Sequence, residues 1–133
     1  MFEWKDEYSV QIPSIDAQHR NLFRIGAELN EAMRTGQGKA VLSKTLDRLV
    51  QYTVVHFDTE ERLMRQHGYP ELAAHKAEHD ALTTKVKEFQ AELESGRALI
   101  TVQLLQFVRD WLDHHIQGSD QKYAPYLRQR AVA

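Results

Sequence analysis

His56-Phe-Asp-Thr-Glu60-Glu-Arg-Leu-Met-Arg-Gln-His-Gly68-Tyr-Pro70-Glu-Leu-Ala-Ala-His75-Lys-Ala-Glu-His79 is the stretch that decides the fold. His56 and Glu60 are four residues apart, and so are His75 and His79. Four residues make about one helical turn, so each pair projects from one face. Gly68 and Pro70 separate the pairs: glycine stops a helix and proline opens the next. Two adjacent helices therefore present three imidazoles and a carboxylate to a common interior. An apolar interior rejects such groups unless something pairs with them, and a bound metal is the simplest partner.

Working outward, the pattern extends in both directions. Residues before about 14 lack helical periodicity; Phe2, Trp4, Tyr8 and Pro13 suggest an arm lying over the core. A first helix is expected over about 14–35, capped by Ser14 or Asp16, with His19, Phe23, Gly26, Asn30 and Met33 on one stripe. Gly36-Gln37-Gly38 ends it. The second helix, about 39–66, turns Leu42, Leu46, Leu49, Tyr52, His56, Glu60 and Leu63 inward; Glu61 falls toward solvent. The third, about 70–94, carries Leu72, His75, His79, Leu82, Val86, Phe89 and Leu93, with Glu78 on a solvated face. Ser95-Gly96-Arg97 breaks it. The fourth runs over about 98–117. At about 100° per residue, Leu104, Val108, Trp111 and Leu112 cluster round His115, whereas His114 lies about 100° away. His115 is thus the inward histidine. Gly118 and Ser119 loosen the helix end, so that Asp120 swings back beside it. A short helical segment follows, limited by Pro125.

Four long amphipathic helices with short links make an all-α, up-down-up-down four-helix bundle the expected architecture, with residues 1–133 as one domain. The net charge of -2 offers no basic face for nucleic acid, and no apolar run approaches the roughly 20 residues a membrane span needs. With no cysteine there is neither disulfide nor thiolate ligand; a reducing, cytoplasmic setting is expected. The N-terminus is too charged for a signal peptide.

The inward polar set is His19, His56, Glu60, His75, His79, His115 and Asp120, drawn from all four helices. It is too large for one metal. Two six-coordinate metals sharing these imidazoles, two bridging carboxylates and one bridging oxo or hydroxo group keep a single position open for a small ligand. Imidazole-rich sites suit iron, copper, zinc or nickel, so spacing alone names no metal.

The motifs Ile15-Asp16-Ala-Gln-His19, His56-Phe57-x-x-Glu60, His75-x-x-x-His79 and Trp111-Leu112-x-x-His115-Ile116-x-x-x-Asp120 resemble those of the hemerythrin family in its stand-alone, single-domain bacterial form. The resemblance covers nearly the whole chain. It implies a non-haem centre of two irons (Fe2+/Fe3+) with a bridging oxo or hydroxo group, binding O2 reversibly. It implies that His75, His79 and His115 hold one iron, that His19 and His56 hold the other, and that Glu60 and Asp120 bridge. Leu22, Phe57, Trp111 and Ile116 match the family's oxygen pocket. The implied role is a monomeric oxygen carrier or store, not an enzyme, delivering to an oxygen-consuming enzyme. The alternatives are a di-iron oxidase, a peroxidase, a nitric-oxide-handling enzyme, or a sensor acting through a partner. Bundle oxidases of the di-iron carboxylate type use four glutamates and paired Glu-x-x-His motifs, which this chain lacks.

Overall fold

The structure, a computed structural model, describes residues 2–36, 39–96 and 100–133. Its elements are a 3-10 turn Asp6–Tyr8, then α1 (Pro13–Arg34), α2 (Lys39–Gln66), α3 (Leu72–Glu94) and α4 (Ile100–His114). A π-helical turn, His115–Asp120, then leads into α5 (Gln121–Gln129). α1 packs on α2, α2 on α3, α3 on α4, and α4 closes back on α1. That ring of sequential neighbours is the up-down-up-down bundle. The expected stops at Gln37-Gly38 and Arg97, and the start of the fourth helix at Ala98, lie outside the described residues.

Several boundaries differ from the sequence expectation, each for a local reason. α1 is capped by neither Ser14 nor Asp16. Pro13 occupies its first turn and Ile12 its N-cap, without a side-chain bond; proline's fixed φ and missing N–H suit that position. Asp16 instead reaches back to the arm, accepting from the Val10 N–H at 2.9 Å and from Ser9 Oγ at 2.5 Å. α3 begins at Leu72, not Pro70. α4 does not fray near Gly118: it widens into the π turn and continues as α5. Pro125 sits inside α5 without ending it.

Two apolar clusters sandwich the polar set. One contains Leu22, Phe57, Leu82, Leu104, Val108 and Ile116; the other contains Ile15, Met64, Tyr123 and Leu127. Along α1 the order is Ile15, His19, Leu22, and along α2 it is Phe57, Glu60, Met64, so each helix passes through one cluster, the polar layer and the other cluster. Leu29, Leu46 and Leu104 are at most 1% exposed, and complete burial of such side chains contributes about 1.5–3 kcal/mol each.

The arm closes one side. Phe2 packs onto Gly26, where a Cβ would stand 2.5 Å from the Phe2 ring; only glycine admits the aromatic there. Tyr8 donates its hydroxyl to Asp113 at 2.7 Å, tying the arm to α4.

Candidate metal centre

Each histidine of the set enters the bundle interior through its helix phase, and each is at most 4% exposed. Glu60 and Asp120 are fully buried. All seven residues come together, in two groups. His75, His79, His115 and Asp120 form one, and His19, His56 and Glu60 the other; within each group the ligating atoms lie within 4.8 Å of one another.

All five Nε2 atoms face the interior. Asp120 spans the groups: Oδ1 lies 3.0 Å from His75 Nε2 and 3.1 Å from His115 Nε2, and Oδ2 lies 3.1 Å from His19 Nε2. Glu60 spans them differently. Its Oε1 is 2.8 Å from His56 Nε2 and 3.6 Å from His79 Nε2, while Oε2 is 4.0 Å from His19 Nε2. The π turn makes Asp120's place. On an α-helix five residues overshoot a turn by about 140°; an i→i+5 turn takes up the excess and keeps Asp120 in phase with His115.

Three of the Nδ1 atoms meet partners that helical phase did not single out. His56 Nδ1 donates to Gln18 Oε1 at 2.6 Å, His79 Nδ1 to Glu61 at 2.8 Å, and His115 Nδ1 to Glu78 at 3.2 Å. Glu78 is held in turn by Ser119 Oγ at 2.6 and 2.8 Å. Glu61 is therefore not a solvent residue: its side chain is only 13% exposed. Glu78, though 46% exposed, is engaged with a buried imidazole. Each of these partners is the chain neighbour of a histidine or carboxylate of the set (Gln18 of His19, Glu61 of Glu60, Glu78 of His79), yet it serves a histidine of the next helix. Adjacency was the available sequence signal; helix phase, which counts only inward residues, discards it. Tyr123, fully buried on α5, donates to Glu60 Oε2 and was also missed. His114 is exposed and bonds its own helix at the Asp110 carbonyl, 2.8 Å away.

The electrostatics are those of a donor set built for a cation. Carboxylate and amide oxygens accept at Nδ1, so a ring proton of His56, His79 and His115 sits there, and Nε2 is the atom each ring turns inward toward a cation. The Nε2 atoms of His79 and His115 face each other at 3.2 Å. Glu60 Oε1, both Asp120 oxygens and the Nε2 atoms of His19 and His75 are buried with no hydrogen-bond partner among the described residues. Leaving such groups unmatched costs about 1–3 kcal/mol each, more when charged. Burial pushes the Asp120 carboxyl up, but the facing His115, His19 and His75 outweigh it and hold it well below the usual carboxylate range. Burial, with His75 and His115 close by, drops His79 to about 3. Burial also opposes charge on His115, but Asp120, Glu60 and Glu78 raise it to about 8. Burial, then Glu60 and Asp120, push the Tyr123 phenol well above its ordinary value. Imidazole nitrogens and carboxylate oxygens in two adjacent buried groups fit cations that take nitrogen and oxygen ligands, iron among them.

Aromatic rings cover one side. Phe57 stacks on His79 with centroids 3.7 Å apart and Trp111 stacks on His115 at 4.1 Å. Leu22 and Ile116 are at most 2% exposed in the adjoining core. Trp111 is half-buried; with Phe107, Asp110, His114, His115 and Glu78 it lines a surface groove of about 270 Å³. Among the described residues no helix is long and apolar enough to cross a membrane.

Residues 10–127 match the family model of the hemerythrin HHE cation binding domain. The chain is 37% identical over 121 residues to a bacteriohemerythrin of Methylococcus capsulatus, covering 91% of this chain and 92% of that one. It is 27% identical over 122 residues to a myohemerythrin of Theromyzon tessulatum, covering 92% and 90%. The crystal structure of a wild-type hemerythrin superposes with a TM-score of 0.87 at 36% identity, covering 94% of this chain and 96% of that one.

Proposed function

Because this chain belongs to the hemerythrin family, we propose that it binds O2 reversibly at a non-haem di-iron centre, for transport, storage or delivery to an oxygen-consuming enzyme. The observation that carries the reading is the division of five inward Nε2 atoms into three and two, with Asp120 reaching both groups. His75, His79 and His115 would hold one iron and His19 and His56 the other, with Glu60 and Asp120 as ligands that both would share and an oxo or hydroxo group completing the centre.

Bound iron would supply the reversible electron exchange that O2 binding needs. The protein's part is to fix the two ions, keep the surroundings dry and withhold protons. Glu60 and Asp120, whose oxygens face imidazoles of both groups, would hold the two ions side by side. Tyr123 orients Glu60 by donating to Oε2, leaving Oε1 to face His56 and His79. Leu22, Phe57, Trp111 and Ile116 form the oxygen pocket. Their apolar surface penalises a separated anion and excludes the water that would carry it away. Reversibility would depend on this wall keeping water from the site.

An anaerobic-to-aerobic optical titration of iron-loaded protein tests the reading. A visible charge-transfer band that appears with oxygen and vanishes under argon, over repeated cycles and with two irons per chain, is the expected result. Steady consumption of added reductant and oxygen would instead mark an oxidase, and a single iron per chain would sink the paired site.

A further inference from the structure

The ring of outward hydrogen bonds is unequal. Going round the bundle, α1 supplies Gln18 to His56 of α2, α2 supplies Glu61 to His79 of α3, and α3 supplies Glu78 to His115. The sequence stops there: His19 Nδ1 is buried and has no hydrogen-bond partner among the described residues. Two of the three imidazoles in the three-histidine group thus have a carboxylate behind them. The two-histidine group has one neutral amide and one bare ring nitrogen.

A carboxylate behind a metal-binding imidazole fixes its tautomer, aims its free lone pair and makes it a stronger base; a neutral amide aims the ring without adding charge. The supports are themselves held. Glu61 is mostly buried, and Glu78 is pinned by Ser119 from the π turn that also carries His115 and Asp120. Resting on the two-metal reading above, we propose that Glu61 and Glu78 are positioning residues that make the two metal positions unequal, so that the three-histidine position fills first and holds its ion more tightly by an amount set by these two carboxylates. The inequality is an electrostatic property of the surrounding shell, added to the difference in ligand number.

Cobalt(II) tests this without oxygen chemistry. Metal-free protein is titrated with Co2+ under argon, following the visible absorption and the hyperfine-shifted imidazole proton resonances. Three rings respond in one step and two in the other, which assigns the steps. In the parent protein the three-ring step comes first. Glu61→Gln together with Glu78→Gln keeps an acceptor oxygen for each Nδ1 but removes the charge. It should weaken the three-ring step by about 10–100-fold and leave the two-ring step in place, with the metal-free helical content unchanged. Gln18→Glu is the reciprocal change, and tightening of the two-ring step supports the proposal. A double variant that keeps both steps, or weakens both equally, overturns it while leaving the paired site intact. Failure of the parent to bind a second Co2+ would overturn the two-metal reading itself.

Discussion

The two halves of the buried polar layer differ in kind. The half built on α3 and the π turn has three imidazoles, a carboxylate oxygen shared by His75 and His115, and two outer glutamates. The half built on α1 and α2 has two imidazoles, one of them without an outer partner. The richer half is stacked upon by Phe57 and Trp111, whereas His19 and His56 are 4.7 Å apart edge to face. The lesson is that equal-looking His-x-x-x-Glu and His-x-x-x-His motifs acquire different strengths from what stands behind them. A half with three imidazoles and two outer carboxylates would suit a fixed ion; a half with two imidazoles and looser bracing would suit the ion that takes up a small molecule.

The sharpest way to break the comparison is His115→Ala, which removes a ligand from the braced half. The iron of that half should be lost, about one iron per chain or the whole centre, by metal analysis and visible spectrum. His114→Ala, exposed and bonded only to its own helix, should leave both unchanged. Reversed results would mean that the other histidine faces inward.

Asp120→Asn comes next, because it acts on both halves at once. It keeps the shape but halves the anionic charge between the imidazoles. Iron content should fall, and any retained pair should show weaker magnetic coupling in susceptibility measurements. Normal content with unchanged coupling would remove Asp120 from its bridging role. Because metal binding energy is partly folding energy, the thermal midpoint of the iron-loaded variant should drop toward that of chelated parent protein.

Tyr123→Phe is milder. It strips the donor from Glu60 Oε2 and keeps the ring against His75. A loss of about 1–3 kcal/mol of unfolding free energy is expected by denaturant titration, with both irons retained. Loss of iron from the two-histidine half alone would show that Tyr123 holds Glu60 for that half in particular.

The smallest effect on metal is expected at the wall. Leu22→Ser and Ile116→Ser should keep two irons yet speed oxidation of the oxygenated protein by about tenfold, a change of about 1.4 kcal/mol in the barrier, followed optically over hours. If both variants hold oxygen as long as the parent, these side chains are core alone.

Much of this molecule is readable from the chain. The seven inward residues follow from helical phase, because a polar side chain on an apolar stripe stands out against its neighbours. The choice of His115 over His114 follows the same way. The bundle follows from four such stripes joined by short links, since each helix must bury its stripe against the next. The need for a special arrangement at Asp120 is also visible, because five residues do not fit an α-helical turn, although its form, a continuous π turn and not a loosened end, is not.

Other features were settled only by packing. Ser14 and Asp16 have the chemistry of a cap, but Pro13 fixes the helix start and Asp16 is drawn to the arm. Glu61 and Glu78 look like surface acids because phase measures direction from one helix's own axis. Whether an off-axis side chain meets solvent or a neighbour depends on where the next helix stands. Gln18, Glu61 and Glu78 lie 38, 18 and 37 residues from the histidines they serve, and local spacing carries no information over such distances. The sequence by itself determined which groups face inward, since that is a property of each helix alone. Only the tertiary structure decided how those groups divide into a braced half and an open half, because that depends on which neighbour each helix leans its flank against.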